Sequence, residues 1–70
     1  MITYSPLWET MRKKGMSKYR LIKSGIAQNT ISRMAKNKAT SSETINDLCR
    51  ILDCKVEDIM KYVKEENANI

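Results

Sequence analysis

The stretch that most narrows what this chain can fold into is residues 40–52, TSSETINDLCRIL. Ile45, Leu48, Cys49 and Leu52 recur at i, i+3, i+4 and i+7, the spacing of one helix face. Thr40 and Glu43 stand ahead of them at capping-box distance, so a helix is predicted from about Ser41 to Leu52. Such a stripe must be covered by other elements of the same chain or of a partner. In 70 residues, the chain's own cover can come only from short segments of one domain with a small core, unless a partner subunit adds to it.

Those segments read as helices. Ser5-Pro6 is an N-cap followed by proline at the first helical position, and Leu7, Trp8 and Met11 give the helix to about Lys14 an apolar side. Gly15 supplies its stop. Tyr4 and Trp8 are expected in the core, with a subunit contact as the alternative. Ser17 caps a second helix, from Lys18 to about Ser24, with Tyr19, Leu21 and Ile22 as its apolar members. After Gly25-Ile26 a third helix runs over residues 27–36 and stops at Asn37, a residue that tolerates the left-handed conformation of a helix end. Val56, Ile59, Met60 and Val63 repeat the helical spacing and predict a fifth helix. Met1 to Tyr4 is short and β-prone, and residues 65–70 read as a frayed tail on a single domain of residues 1–64. The expected architecture is all-α, a compact five-helix bundle with a short extended segment at the N-terminus.

Charge is divided unevenly along the chain. Residues 1–38 hold nine Lys or Arg against Glu9 alone, a net +8, whereas residues 39–70 hold four against seven acids, a net −3. One side of the domain is therefore suited to a polyanion. The cations are spread over three short segments, which fits a basic membrane-surface helix poorly. No apolar run approaches the roughly 18 residues of a membrane span, and no signal-peptide core is present, so a cytoplasmic protein is expected.

The third helix carries the chemistry. Ile31 and Met34 fall on one side, while Gln28, Asn29, Ser32, Arg33 and Lys36 fall on the other, without a carboxylate among them. Gln and Asn can bond adenine in pairs and Arg can do the same to guanine, so this face can read base edges. The plainer alternative is a solvated surface. Lys18 and Arg20 sit in the first turn of the second helix, where cations oppose the dipole unless an anion binds there. Two short helices joined by a glycine-containing turn form a helix-turn-helix unit.

Taken in order, Gly25-Ile26, Thr30-Ile31-Ser32-Arg33, Asn37-Lys38, Glu43-Thr44-Ile45, Leu48-Cys49, Ile51-Leu52 and Glu57-Asp58-Ile59 resemble the Cro/C1-type (Xre) helix-turn-helix family of transcription regulators. The resemblance runs from about Leu7 to Val63 and looks strongest to the small stand-alone regulators of Gram-positive bacteria and their mobile elements. It implies a lambda-repressor-like five-helix fold, with helix three in the DNA major groove and a homodimer on an inverted repeat. Carried over by position, Gln28, Asn29, Ser32 and Arg33 would contact bases. Ser17, Lys18, Lys36, Asn37, Lys38 and Ser41 would contact phosphates, which set register rather than sequence. Three positions depart from the family's pattern. Ala27 replaces the usual Ser or Thr cap of helix three, Leu21 replaces the usual small residue four before the turn glycine, and Lys55 occupies the cap of helix five.

The function expected is sequence-specific regulation of transcription, as a repressor that binds double-stranded DNA. A protein-interaction module, an antitoxin or anti-repressor on the same fold, is the alternative. The dimer contact is expected at Met1–Trp8 or near Tyr62 and Ile70. With no His and no glycine-rich phosphate loop, no catalytic residue, cofactor or small-molecule ligand can be named. Cys49 and Cys54 are too few for a zinc site and are expected in the core as small apolar groups.

Overall fold

The four helices among the described residues all end in the same way. The computed structural model describes residues 1–64. In chain order it contains β1 (Ile2–Thr3), α1 (Ser5–Lys13), α2 (Lys18–Lys23), α3 (Gln28–Ala35), α4 (Ser42–Leu52), a single 3-10 turn (Val56–Asp58) and β2 (Lys61–Tyr62). Past each α-helix one residue has positive φ: Gly15 (65°), Gly25 (116°), Asn37 (58°) and Asp53 (52°). The next amide then turns back to the carbonyl five residues earlier. Met16 bonds Met11 at 2.9 Å, Ile26 bonds Leu21 at 3.1 Å, Lys38 bonds Arg33 at 3.0 Å and Cys54 bonds Cys49 at 3.0 Å. This is the long hydrogen bond of the Schellman motif, which a contact between apolar side chains of the two bonded residues often accompanies.

Helix starts are less uniform. Ser17 caps α2 through Oγ, which accepts the Arg20 amide at 3.1 Å. The cap of α4 is Ser41, one residue later than the Thr40–Glu43 spacing implied, because Ser41 Oγ takes the Thr44 amide at 3.1 Å. Ser5 is already helical rather than the cap of α1. Tyr4 is the N-cap, and the hydroxyl of Thr3 accepts the Ser5 amide. Ala27 caps α3 without a side-chain bond, as its apolar side chain requires.

The predicted fifth helix does not form. Asp58 Oδ2 accepts the Lys55 amide at 3.1 Å and starts one 3-10 turn, and Thr10 Oγ1 on α1 donates to the Asp58 carbonyl at 2.8 Å. That bond ties the Asp58 carbonyl to α1 and holds the turn against it. Beyond Met60 the chain extends, and β2 pairs antiparallel with β1, Tyr62 opposite Ile2 and Lys61 opposite Thr3. The Val63 amide donates to the Met1 carbonyl at 2.7 Å, closing the ribbon. Residues with a β-branched or aromatic side chain suit this pairing. The fold is therefore four helices and a two-stranded ribbon, with the extended N-terminal segment as one strand. The frayed tail expected at residues 65–70, and Ile70 with it, lies outside the described residues.

One core joins the elements. Leu21, Leu48 and Ile59 are fully buried, and Tyr4, Leu7, Met11, Ile26, Ile31 and Met34 pack with them. Tyr4 is thus a core residue, and Trp8 is half-buried against the same cluster. Tyr19 is not an apolar member of α2, since it is 67% exposed and Leu21 alone on that helix is buried. A six-residue helix spans under two turns, so a single inward anchor is what its geometry allows.

Candidate nucleic-acid interface

Helix α3 is held by two inward side chains, Ile31 and Met34, while Gln28, Asn29, Ser32, Arg33 and Lys36 are all exposed. The turn before it is tightly bonded. Ser24 Oγ donates to the Arg20 carbonyl at 2.9 Å, the Gly25 amide bonds Ile22, and buried Ile26 anchors the turn in the core. This fixes α3 relative to α2 without using any residue of its outer face.

That face has two edges. Gln28, Ser32 and Lys36 line a shallow groove shared with Lys18 and Ile22 of α2. Four of the expected contact residues are brought together there. Asn29 and Arg33 lie one turn apart on the far edge, beside the loop to α4, where Arg33 Nη2 donates to the Ala39 carbonyl at 3.2 Å. Lys38 stands next to Arg33, because its amide bonds the Arg33 carbonyl. In the other three helix ends the corresponding pairs are Met–Met, Leu–Ile and Cys–Cys, which gain by contact. Here the two positions are held by Arg33 and Lys38, both exposed, at the negative end of the helix dipole, which suits cations.

Three expected phosphate contacts carry other bonds. Asn37 Oδ1 accepts the Tyr4 amide at 3.1 Å, so this side chain ties the end of α3 to the N-terminal segment. The Ser41 hydroxyl accepts from Thr44 N–H and donates to Thr44 Oγ1, and the Ser17 hydroxyl caps α2. Lys18 Nζ lies 5.4 Å from the centre of the Trp8 ring, a cation–π distance. On α2 the exposed pair Tyr19 and Lys23, with the ammonium 5.6 Å from the ring centre, went unnoticed in the sequence. The signal available was the Tyr–Lys spacing of one helical turn.

Residues 6–65 match the family model of the Cro/C1-type HTH DNA-binding domain. The chain belongs to this family. Its fold is similar to that of the transcriptional regulator VanUg in a crystal structure, with a TM-score of 0.82 and 26% sequence identity over 91% of this chain and 87% of that one. No curated protein matches the sequence. In a Cro/C1-type domain the helix-turn-helix, here α2–turn–α3, belongs to a DNA-binding domain, so DNA is the partner. No helix of the described residues is long and apolar enough to cross a membrane.

Proposed function

We propose that this Cro/C1-type domain is a sequence-specific transcription regulator, acting as a repressor, that binds an inverted-repeat operator as a homodimer. The observation that carries the reading is the outer face of α3: exposed amides, a hydroxyl and a guanidinium, with no carboxylate from the helix itself. Gln28, Asn29, Ser32 and Arg33 are assigned to base edges, with Arg33 on guanine. Lys18, Lys36 and Lys38 are assigned to phosphates, where their charge displaces counterions without reading sequence. Ser17 is assigned to phosphate through its hydroxyl, which accepts the Arg20 amide and keeps its O–H to donate, and Ser41, whose hydroxyl also donates to Thr44 Oγ1, through the exposed start of α4. Asn37 is assigned chiefly to holding the end of α3, with any phosphate contact secondary.

The similarity of fold to VanUg, a transcriptional regulator, supports regulation as the role. A dimer would use the ribbon side, where Met1, Ile2, Tyr62 and Val63 are exposed apolar groups. Selection of bound duplexes from a random DNA pool tests the whole reading. Enriched sequences with two symmetric half-sites are expected, and a pool that stays random would refute sequence reading.

A further inference from the structure

The Schellman turn after α4 juxtaposes two thiols, a pairing unlike the other three helix ends. A direct backbone bond joins Cys54 to Cys49 at 3.0 Å, and the motif sets their side chains against each other. The two thiols interact, since the Cys49 side chain helps to hold the Cys54 proton. Both are free and half-buried, and both line an open groove of about 590 Å³ between α4 and the 3-10 turn. A third sulfur-bearing residue, Met60, lines the same groove. Met60 follows the 3-10 turn, and its amide is bonded to the Val56 carbonyl at 3.1 Å, which sets the residue on the groove wall.

We propose that Cys49, Cys54 and Met60 form a binding site for a soft monovalent cation of the Cu(I) class. Thiolate and thioether donors together select such an ion over harder ones. Each thiol releases its proton to solvent as a metal–sulfur bond forms, Met60 adds a neutral third donor, and the metal stays Cu(I) throughout. The bound centre carries one net negative charge. Charges of both signs stand near it: Lys14 Nζ bonds the Asp53 carbonyl at 3.3 Å, between the two cysteines in sequence, and Lys55 lines the groove, while the Asp58 carboxylate also acts on Cys54 and opposes the negative charge. Harder dications find no comparable set. Asp58 has one carboxylate oxygen on the Lys55 amide, and no cluster of three His, Cys, Asp or Glu side chains exists among the described residues. Zinc, which takes four ligands in structural sites, is therefore poorly served. The site stands apart from the outer face of α3 and does not depend on the DNA reading.

The test is competition for Cu(I) between the full chain and the chelator bathocuproine disulfonate, without oxygen and with excess reductant. The wild-type chain is expected to withhold one equivalent. Cys49→Ser and Cys54→Ser should each lower the affinity at least tenfold, with circular dichroism confirming that α4 remains. Met60→Leu, which keeps the apolar volume, should weaken binding severalfold, and it decides the matter should a serine variant unfold. A wild-type chain that yields all its copper overturns the proposal. So does a Met60→Leu chain, or a folded Cys49→Ser/Cys54→Ser chain, that binds as tightly as wild type.

Discussion

The amide of Lys38 donates to the carbonyl of Arg33 at 3.0 Å. One backbone bond thus closes the end of α3 and places two basic residues at the edge of its outer face. Their roles should separate on substitution. Arg33→Ala should weaken operator binding by about 1–3 kcal/mol and relax one base position. Fluorescence anisotropy against a panel of single-base operator variants would show it. An undiminished affinity would remove Arg33 as a base reader.

Lys38→Ala should weaken binding to all duplexes alike and lower the slope of log K against log salt by about 1. Titrations at several salt concentrations, on operator and random DNA, measure both effects. Loss confined to the operator would mean that Lys38 reads bases.

Asn37 combines a left-handed backbone with the hydrogen bond to Tyr4. Asn37→Gly keeps the conformation and loses the bond, costing about 1 kcal/mol of stability. Asn37→Ala loses both and should cost about 1–2 kcal/mol more. Urea denaturation ranks the two. Equal costs would show that backbone conformation contributes nothing at this position.

Ala27 leaves the N-terminus of α3 without a side-chain cap. Ala27→Ser should stabilise the fold by about 1 kcal/mol. Should the methyl of Ala27 also meet a thymine, the same variant will lose preference for that base while gaining stability. Thermal melting and a repeat of the DNA selection read the two effects separately.

Burial pushes the Cys54 thiol up from 9.0 to about 11, with Cys49 and Asp58 adding to the shift. Cys54 should therefore stay protonated at neutral pH and react slowly with iodoacetamide until the solution is strongly alkaline. The sign for stability follows from the raised value. The contribution is whole below pH 9 and is lost as pH climbs from about 9 to 11, because the unfolded chain gives up its proton first. Urea midpoints of wild type and Cys54→Ala across that window check this, and parallel curves would refute it.

What the sequence determined by itself is local. Helices α1 to α4 are legible because their signals lie within one or two turns: Pro6 near a start, Ser17 as a cap, Gly15, Gly25 and Asn37 at ends, and the spacing of Ile45, Leu48 and Leu52. The outer face of α3 is legible for the same reason, since two inward anchors, Ile31 and Met34, dictate which side chains point away. The ribbon is not local. Val56, Ile59, Met60 and Val63 satisfy a helical period, yet the segment is one 3-10 turn and a strand, because Thr10 holds the Asp58 carbonyl and Ile2 and Thr3 offer a pairing edge. Those partners lie 48 residues or more away in the chain, and only the folded core, with Ile59 wholly buried in it, brings them together. The same holds for Asn37, whose side chain meets the Tyr4 amide across 33 residues. Periodicity and capping encode what a segment does alone; which competing hydrogen bond it finally makes is decided by the neighbour that packing delivers.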